Sequence, residues 1–240
     1  MEQIRLDKAI ASLGEFSRRD VKKLASLGNI LVNGKPVKRA DVKLDPEKDE
    51  VQINGKRLNL NPHIYIMLNK PEGVVSASRD TSQKTVVDLV PPEMRRKGIF
   101  PAGRLDKDTT GFVLLTNDGE LAHRILSPKN HVPKTYIAVL DVPIDQRAID
   151  EFAQGMEIDG GEICKPALLA DEPDWDVQPA ARIVLREGMY HQIKRMFGKT
   201  GREVLKLKRV AMGGLELDQN LAPGECRELT VKERELLEQK

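Results

Sequence analysis

Apolar residues in the first 60 positions follow a helical period and then a strand pattern. The positions at helical spacing form two groups, Leu6, Ile10 and Leu13, then Val21 and Leu24. Ser17 stands between these groups, where it can cap the second helix. The pattern predicts a short pair of helices at the start of the chain.

Short apolar runs at residues 30–32 and 51–53 follow the helices, and each leads into an Asn-Gly dipeptide, Asn33-Gly34 and Asn54-Gly55. Asn-Gly is a strong hairpin signal because a type I′ turn needs positive φ at both central positions. We therefore expect a small sheet after the helices, and a first domain at residues 1–60.

The rest of the chain mixes short strand patterns with helix patterns. Strands are predicted at 64–68, 112–117, 135–140, 163–169, 181–186 and 203–208, and helices at 118–126, 144–154, 191–200 and 230–239. Because strands and helices do not alternate strictly, an α+β fold with a mixed, largely antiparallel sheet is favoured over a doubly wound fold. Pro62 breaks any continuing element, so we predict a linker at about 57–63 and a second domain at 61–240.

Charge is distributed unevenly along the chain, although the net charge is only +2. Residues 1–60 contain 13 basic and 9 acidic residues, and residues 182–209 contain nine basic residues against Glu187 and Glu203. Two basic zones on an otherwise balanced protein are typical of a protein that binds a phosphate backbone in two places. The alternative for each zone is a solvated surface without a ligand.

Several classes of protein are not favoured by the sequence. No run approaches the roughly 18 consecutive apolar residues of a membrane-spanning helix, and the first residues lack an apolar signal core, so we expect a soluble cytoplasmic protein. Cys164 and Cys226 are too far apart for a redox or zinc motif. The chain also lacks a phosphate-binding glycine loop, and its four histidines lack the spacing of a metal site.

Residues 101–117 contain the strongest candidate for chemistry. Asp106 lies in Gly-Arg-Leu-Asp at 103–106, directly before the apolar run 112–116, which is typical of a strand covered on both faces. Gly103 and Gly111 flank the carboxylate at places where the backbone can approach a ligand closely. This pattern favours a catalytic loop, and a surface turn with a capping aspartate is the alternative.

Residues 103–116 resemble the catalytic motif of pseudouridine synthases. Three further segments resemble motifs of that family in the same order: Asn-Lys-Pro-Glu-Gly at 69–73, Lys-Thr-Tyr at 134–136, and the basic segment 187–196. Residues 4–56 resemble an S4-type RNA-binding domain. The chain thus resembles the RsuA-like branch over nearly its whole length, which implies an S4 domain followed by a pseudouridine synthase domain.

The resemblance implies an enzyme that isomerises uridine to pseudouridine in RNA. Such an enzyme breaks the N1–C1′ bond, turns the uracil and rejoins it through C5, which requires a carboxylate but no metal, nucleotide or redox cofactor. Asp106 matches the catalytic aspartate, Tyr136 the tyrosine that packs on uracil, and Lys194 the basic partner that keeps the aspartate ionised in a dry site.

Other basic residues are predicted to contact RNA. We expect this of eight residues: Arg5, Lys8, Arg18, Arg19, Lys22, Arg104, His191 and Arg195. In related synthases an arginine at the position of Arg104 helps to displace the target base. An alternative role stays open for each of three residues. Tyr136 could be a core residue, Lys194 a phosphate contact, and Arg195 part of an internal ion pair.

The segment at 189–196 resembles the small-subunit enzymes more than the large-subunit ones. The implied substrate is therefore 16S ribosomal RNA, at uridine 516 in the RNA's reference numbering, either as RNA or within a small-subunit assembly intermediate. A monomer without membrane contact is expected. The alternatives are a 23S ribosomal RNA synthase of the same family, an S4-type RNA-binding protein without catalysis, and a nucleosidase.

Overall fold

The structure is a computed structural model, and it describes residues 3–46, 48–58, 60, 63–127, 130, 132–172 and 178–239. The chain divides into two compact units. The N-terminal unit comprises Met1–Ile64 and Met94–Ile99, and the C-terminal unit comprises Tyr65–Glu93 and Phe100–Lys240.

The N-terminal unit contains two helices and short strands. Its elements are β1 (Ile4–Arg5), α1 (Leu6–Ser12), α2 (Arg18–Ser26), β2 (Ile30–Val32), β3 (Lys35–Pro36), β4 (Lys43–Leu44), β5 (Val51–Ile53) and β6 (Lys56–Leu58). Ser17 caps α2 in a capping box, since its hydroxyl accepts from the Asp20 amide while the Asp20 carboxylate accepts from the Ser17 amide. The predicted helix pair and its cap are confirmed.

Both predicted hairpins form in the N-terminal unit. Asn33 and Gly34 have φ of 51° and 76°, and Asn54 and Gly55 have φ of 51° and 79°. They join strands of an antiparallel sheet with the order β3-β2-β5-β6. The positive φ values are those that a type I′ turn requires, which explains why Asn-Gly locates these turns in the sequence.

The predicted linker at 57–63 begins too early. Arg57 and Leu58 belong to β6, where they pair with Gln52 and Val51 of β5. The hairpin extends the sheet beyond the point where Asn-Gly ended the apolar pattern. Residues 59, 61 and 62 of the predicted linker lie outside the described residues.

The C-terminal unit is a mixed α+β structure. Its strands are β7 (Tyr65–Lys70), β8 (Phe100–Pro101), β9 (Thr110–Thr116), β10 (Lys134–Leu140), β11 (Met156–Ile158), β12 (Glu162–Cys164), β13 (Leu168–Asp171), β14 (Ala180–Leu185), β15 (Val204–Met212), β16 (Leu215–Glu216) and β17 (Cys226–Glu228). Its helices are α3 (Gly119–Leu126), α4 (Gln146–Gln154), α5 (Gln192–Lys199) and α6 (Val231–Leu236), with 3-10 turns at Val87–Leu89 and, at the unit boundary, Pro92–Met94.

The central sheet has the order β13-β14-β10-β15-β9-β7-β17, and β8 and β16 add to it as short strands. All its pairs are antiparallel except β15 with β9, so the predicted mixed, largely antiparallel sheet is confirmed. Six of the seven residues of β9 are buried, as expected of a strand covered on both faces. The loop that carries Asp106 therefore leads into the middle of the sheet.

Two sequence interpretations in this unit were wrong. The strand predicted at 163–169 is two strands, β12 and β13, because Pro166 between them cannot donate to a ladder. Gly111 was interpreted as a place where the backbone approaches a ligand. It instead packs against β15, because a Cβ there would collide with the Arg209 carbonyl. Its φ of 97° and this close approach require glycine at the parallel pair.

Apolar clusters lie on the central sheet. Phe152 of α4 and Met196 and Phe197 of α5 pack with residues of β10 and β14, and a second cluster joins β7, β9 and α3. In the part of the chain that the structure describes, no helix is long and apolar enough to cross a membrane.

Candidate active site

The loop between β8 and β9 carries Asp106 and is fixed by backbone hydrogen bonds. The Ala102 amide donates to the Leu114 carbonyl at 2.8 Å. Leu105 and Ser76 exchange two hydrogen bonds of 3.0 Å, in which the serine hydroxyl accepts from the amide and donates to the carbonyl. The residue directly before Asp106 is thereby held on both its polar groups, so the carboxylate projects from a fixed backbone.

Lys70 braces the same loop from within the protein. Its side chain is fully buried, and Nζ donates to the carbonyls of Thr109 at 2.8 Å, Lys107 at 3.0 Å and Pro71 at 3.1 Å. Burial lowers the pKa of Lys70 to about 8, although the nearby carboxylates oppose the shift. These contacts explain why the segment 69–73 accompanies the aspartate loop in the sequence.

His191 is the ionic neighbour of Asp106 in the structure. Its Nε2 lies 3.6 Å from Asp106 Oδ1, and the side chains are 38% and 31% exposed. His191 precedes α5 with φ 48° and ψ 32°, a left-handed conformation that few residues other than glycine adopt. The exposed Tyr190 ring stacks on the imidazole at 3.8 Å. The sequence predicted His191 as an RNA contact at the rim of the pocket, and its ionic contact with Asp106 was not predicted.

Lys194 does not make the ion pair that the sequence predicts. Its Nζ lies 2.5 Å from Asp108 Oδ2, and this hydrogen bond lowers the pKa of Asp108. Asp106 and Asp108 are two residues apart on one loop, and the lysine of α5 reaches the more exposed of the two carboxylates. Lys194 still lines the same cavity as Asp106.

Strands β10, β14 and β15 form what we call the sheet floor of the site: Lys134, Tyr136, Leu185, Leu207 and Arg209. Tyr136 and Arg209 are register partners, and the Arg209 guanidinium carbon lies 6.0 Å from the centre of the tyrosine ring. Lys134 shares a strand face with Tyr136 because the two are separated by two positions. Burial, and secondarily the charge of Arg209, lowers the pKa of Lys134 to about 8.

The loop, the floor and the start of α5 enclose a cavity of about 440 Å³, within the range of small-molecule sites. Two buried polar atoms lack a hydrogen-bond partner in the described part of the chain, Thr109 Oγ1 and Arg209 Nη2. Both residues line this cavity. Since buried polar groups are almost always satisfied, each of these atoms calls for a partner that the described residues do not supply.

The two remaining predicted arginines of this unit differ in their surroundings. Arg104 is exposed and lines the cavity, so it can reach an incoming nucleic acid. Arg195 lies on α5 with its side chain only 19% exposed. It pairs with Glu162 at 2.6 Å and also donates to the carbonyls of Tyr190 and Asp159. These contacts correspond to the internal pairing that the sequence left open, and they give no support to an RNA contact.

The predicted RNA contacts of the N-terminal unit lie on its surface. Lys8, Arg18, Arg19 and Lys22 are exposed, and the described residues include no ion-pair partner for them. Arg5 instead pairs with the buried Asp7 at 2.8 Å, which lowers the pKa of that carboxyl. The sequence-based prediction missed Lys38 and Arg39, which share a concavity of about 310 Å³ with Arg5 and Lys22.

Sequence reasoning also missed the polar residues at the base of the main cavity. Lys134 stands in the quoted segment 134–136, and the two-residue period of a strand places it on the same face as Tyr136. That signal was present in the sequence. Thr109 also carried a signal, since it lies within the motif 103–116. Arg209 carried none, because its place in the cavity depends on the pairing of β9 with β15.

Comparison with known proteins identifies both parts of the chain. Residues 4–51 match the model of the S4 domain, and residues 64–199 match the family model described as RNA pseudouridylate synthase. The second match covers more than half of the chain. The chain belongs to the RNA pseudouridylate synthase family. The resemblance stated from the sequence is confirmed, and the synthase carries an S4 domain before its catalytic domain.

Individual relatives cover nearly the whole synthase. An uncharacterized RNA pseudouridine synthase of Bacillus subtilis, YtzG, is 47% identical over 98% of each chain. The ribosomal small subunit pseudouridine synthase A of Escherichia coli K12 is 38% identical over 96% of this chain and 98% of its own. A crystal structure of a pseudouridylate synthase, also 38% identical, matches with a TM-score of 0.66 over 98% and 99% of the two chains. The protein is thus an RNA isomerase of the RsuA family.

Proposed function

We propose that this synthase modifies 16S ribosomal RNA, at uridine 516 in the RNA's reference numbering. Support comes from the Escherichia coli relative, which is named a ribosomal small subunit enzyme and is 38% identical over nearly its whole length. The RNA partner is 16S RNA or a small-subunit assembly intermediate, and the enzyme acts as a cytoplasmic monomer.

Asp106 is the catalytic carboxylate of the proposal. The observation that carries this role is its position on a braced loop, in the cavity that Thr109 and Arg209 also line. The carboxylate either attacks the substrate as a nucleophile or assists the breaking of the N1–C1′ bond. In both versions the uracil departs with the bonding electron pair and then forms a bond to C1′ through C5.

The proposed role of Asp106 calls for a cation near the carboxylate when the substrate excludes water. Burial of a carboxylate raises its pKa, and a nearby cation opposes that shift. His191 at 3.6 Å supplies this charge when it is protonated, whereas Lys194 pairs with the neighbouring Asp108 and the two charges neutralise each other. The sequence-based pair of Lys194 with Asp106 stays a prediction.

Tyr136 and Arg104 receive the displaced base. The target uridine has to leave its stack before its glycosidic bond can be reached. Tyr136 offers an aromatic face on the sheet floor, and Arg104 is exposed where the cavity meets solvent. The exposed cations of the N-terminal unit add affinity through the phosphate backbone.

The test is pseudouridine mapping of ribosomal RNA from cells that lack the gene for this chain. We expect one signal to disappear from 16S RNA and to return when the wild-type chain is supplied. The matched control is Asp106→Asn, which keeps the shape of the side chain and should not restore the signal. Loss of a signal from 23S RNA alone would overturn the 16S assignment.

A further inference from the structure

Two cations are buried in the sheet floor without compensating charges. Lys134 is 8% exposed and Arg209 is 2% exposed. Within the described residues neither side chain has a carboxylate partner, and Lys134 has no hydrogen-bond partner either. An unpaired buried charge is costly to a fold, so such a charge calls for a specific explanation.

A backbone hydrogen bond fixes the position of the Arg209 guanidinium. Arg209 Nε donates to the Phe112 carbonyl at 2.7 Å, while Nη2 is left without a partner. This one anchor fixes the plane of the guanidinium beside the ring of Tyr136. Lys134, Tyr136 and Arg209 line one cavity, so a base that stacks on Tyr136 would lie beside the Lys134 and Arg209 side chains.

The reaction creates negative charge at that place. When the N1–C1′ bond breaks, the electron pair stays on uracil, and its charge spreads from N1 over the carbonyl oxygens O2 and O4. C5 then bonds to C1′, the C5 proton is released and N1 takes up a proton, so the product is an isomer. Fixed donors aimed at developing charge in a dry site lower such a barrier strongly.

We propose that Lys134 and Arg209 are catalytic residues that stabilise the uracil anion by donating to its carbonyl oxygens. The inference rests on the proposed role of this cavity in isomerisation. It assigns to the sheet floor a task that differs from that of Asp106, which acts at the sugar or at the ring carbons. Contacts to the RNA phosphates remain assigned to the exposed Arg104 at the edge of the cavity and to the surface cations.

Substitution of Lys134 separates this task from a structural one. Lys134→Met removes an unpaired buried charge and keeps most of the side-chain length, so we expect a higher Tm at pH 7. The single-turnover rate should fall on the order of 10²-fold, with little change in the Kd for RNA. The matched control, Lys232→Met on the exposed face of α6, should leave the rate unchanged.

A substrate with a better leaving group gives a second readout. Fluorine at C5 withdraws electrons and stabilises the uracil anion, so RNA with 5-fluorouridine at the target position depends less on the floor cations. Loss of the target 5-fluorouridine, measured in nuclease digests after a single turnover, should be faster relative to uridine in Lys134→Met and Arg209→Met than in the wild type. A structural role would leave this ratio unchanged.

The outcomes separate the two proposals. If the wild type forms pseudouridine and Lys134→Met keeps its rate, or loses Tm and rate together without a change in the fluorine ratio, the anion-stabilising role is wrong. If Arg209→Met does not fold, Arg209→Lys, which keeps the charge, should retain the wild-type ratio. Failure of the proposed function would instead appear as full turnover by Asp106→Asn.

Discussion

The two units of this protein hold their positive charge in opposite ways. In the N-terminal unit Lys8, Arg18, Arg19 and Lys22 are exposed to solvent. In the C-terminal unit three cations at or beneath the site are buried: Lys70 at 0%, Arg209 at 2% and Lys134 at 8% exposure. The first group can bind any phosphate backbone, whereas Lys134 and Arg209 line the cavity and can act only on what enters it.

The difference has an energetic consequence. Exposed cations reduce the stability of the fold little and bind RNA through counterion release, so their contribution to affinity falls as the salt concentration rises. Buried cations reduce the stability of the fold unless other interactions compensate them, and Lys70, which donates to three carbonyls, still has its pKa lowered to about 8 by burial. We expect substitutions in the first group to change affinity, and substitutions in the second to change rate and stability.

The largest effect on activity is expected from Asp106, on the loop between β8 and β9. Asp106→Asn should lower the single-turnover rate at least about 10³-fold, or about 4 kcal/mol in barrier, because an amide cannot act as the nucleophile. Release of a C5 tritium label from uridine in RNA measures this rate. Asp108→Asn on the same loop is the matched control and should lose much less. A loss of less than tenfold in Asp106→Asn would assign the chemistry to another residue.

The next effect concerns the stability of the fold and its dependence on pH. Lys134 has a pKa of about 8 in the folded protein against 10.5 for a free side chain. The charged form is the disfavoured one, so Lys134 destabilises the fold fully below pH 8 and progressively less as pH rises to 10.5. The free energy of unfolding of Lys134→Met should therefore exceed that of the wild type by at most about 3 kcal/mol at pH 7. This difference should be smaller at pH 10.

Thermal unfolding of both proteins between pH 7 and pH 10 tests this prediction. The relevant quantity is the difference in Tm at each pH, because groups that titrate alike in both proteins cancel. A difference that is independent of pH would mean that Lys134 has the same pKa in the folded and unfolded states, so that burial does not disfavour its charge. The contrast between buried and exposed cations would then lose its energetic basis.

Tyr136 should show a smaller effect that depends on the substituted side chain. Base stacking on an aromatic ring is worth roughly 1–3 kcal/mol, so Tyr136→Ala should lose about 5-fold to 150-fold in kcat/KM. Tyr136→Phe keeps the ring and should lose far less. Equal and severe losses in the two variants would identify the hydroxyl as a proton carrier and the stacking role as wrong.

The contrast between the units also explains what the sequence could reveal. The exposed helices, their cap and the Asn-Gly turns follow from local patterns, and so does the buried strand behind Asp106. The contacts of the site are not local. Lys194 could be placed on α5, but its choice of Asp108 over Asp106 depends on how a helix and a loop 86 residues apart meet.

Arg209 shows the same limit more clearly. From sequence it was one of nine basic residues in a zone predicted to bind phosphate. Its burial follows from the parallel pairing of β15 with β9, which sets Arg209 opposite Gly111. No sequence pattern within residues 182–209 predicts that pairing. The basic residues of this zone therefore could not be divided into surface cations and cavity cations from the sequence.

The smallest effect is expected from the exposed cations, and it tests the other half of the contrast. Combined substitution of Arg18, Arg19 and Lys22 by alanine should reduce the slope of log affinity against log salt by about 0.7 to 0.9 for each phosphate that the variant no longer binds. The loss in affinity should be largest at low salt and should leave the single-turnover rate at saturating enzyme unchanged. Titrations at several salt concentrations measure the slope, with Lys134→Met as the matched loss of a buried cation. If Lys134→Met flattens the slope as much per charge as the surface variant does, then RNA phosphates reach the sheet floor, and the division between surface and cavity cations fails.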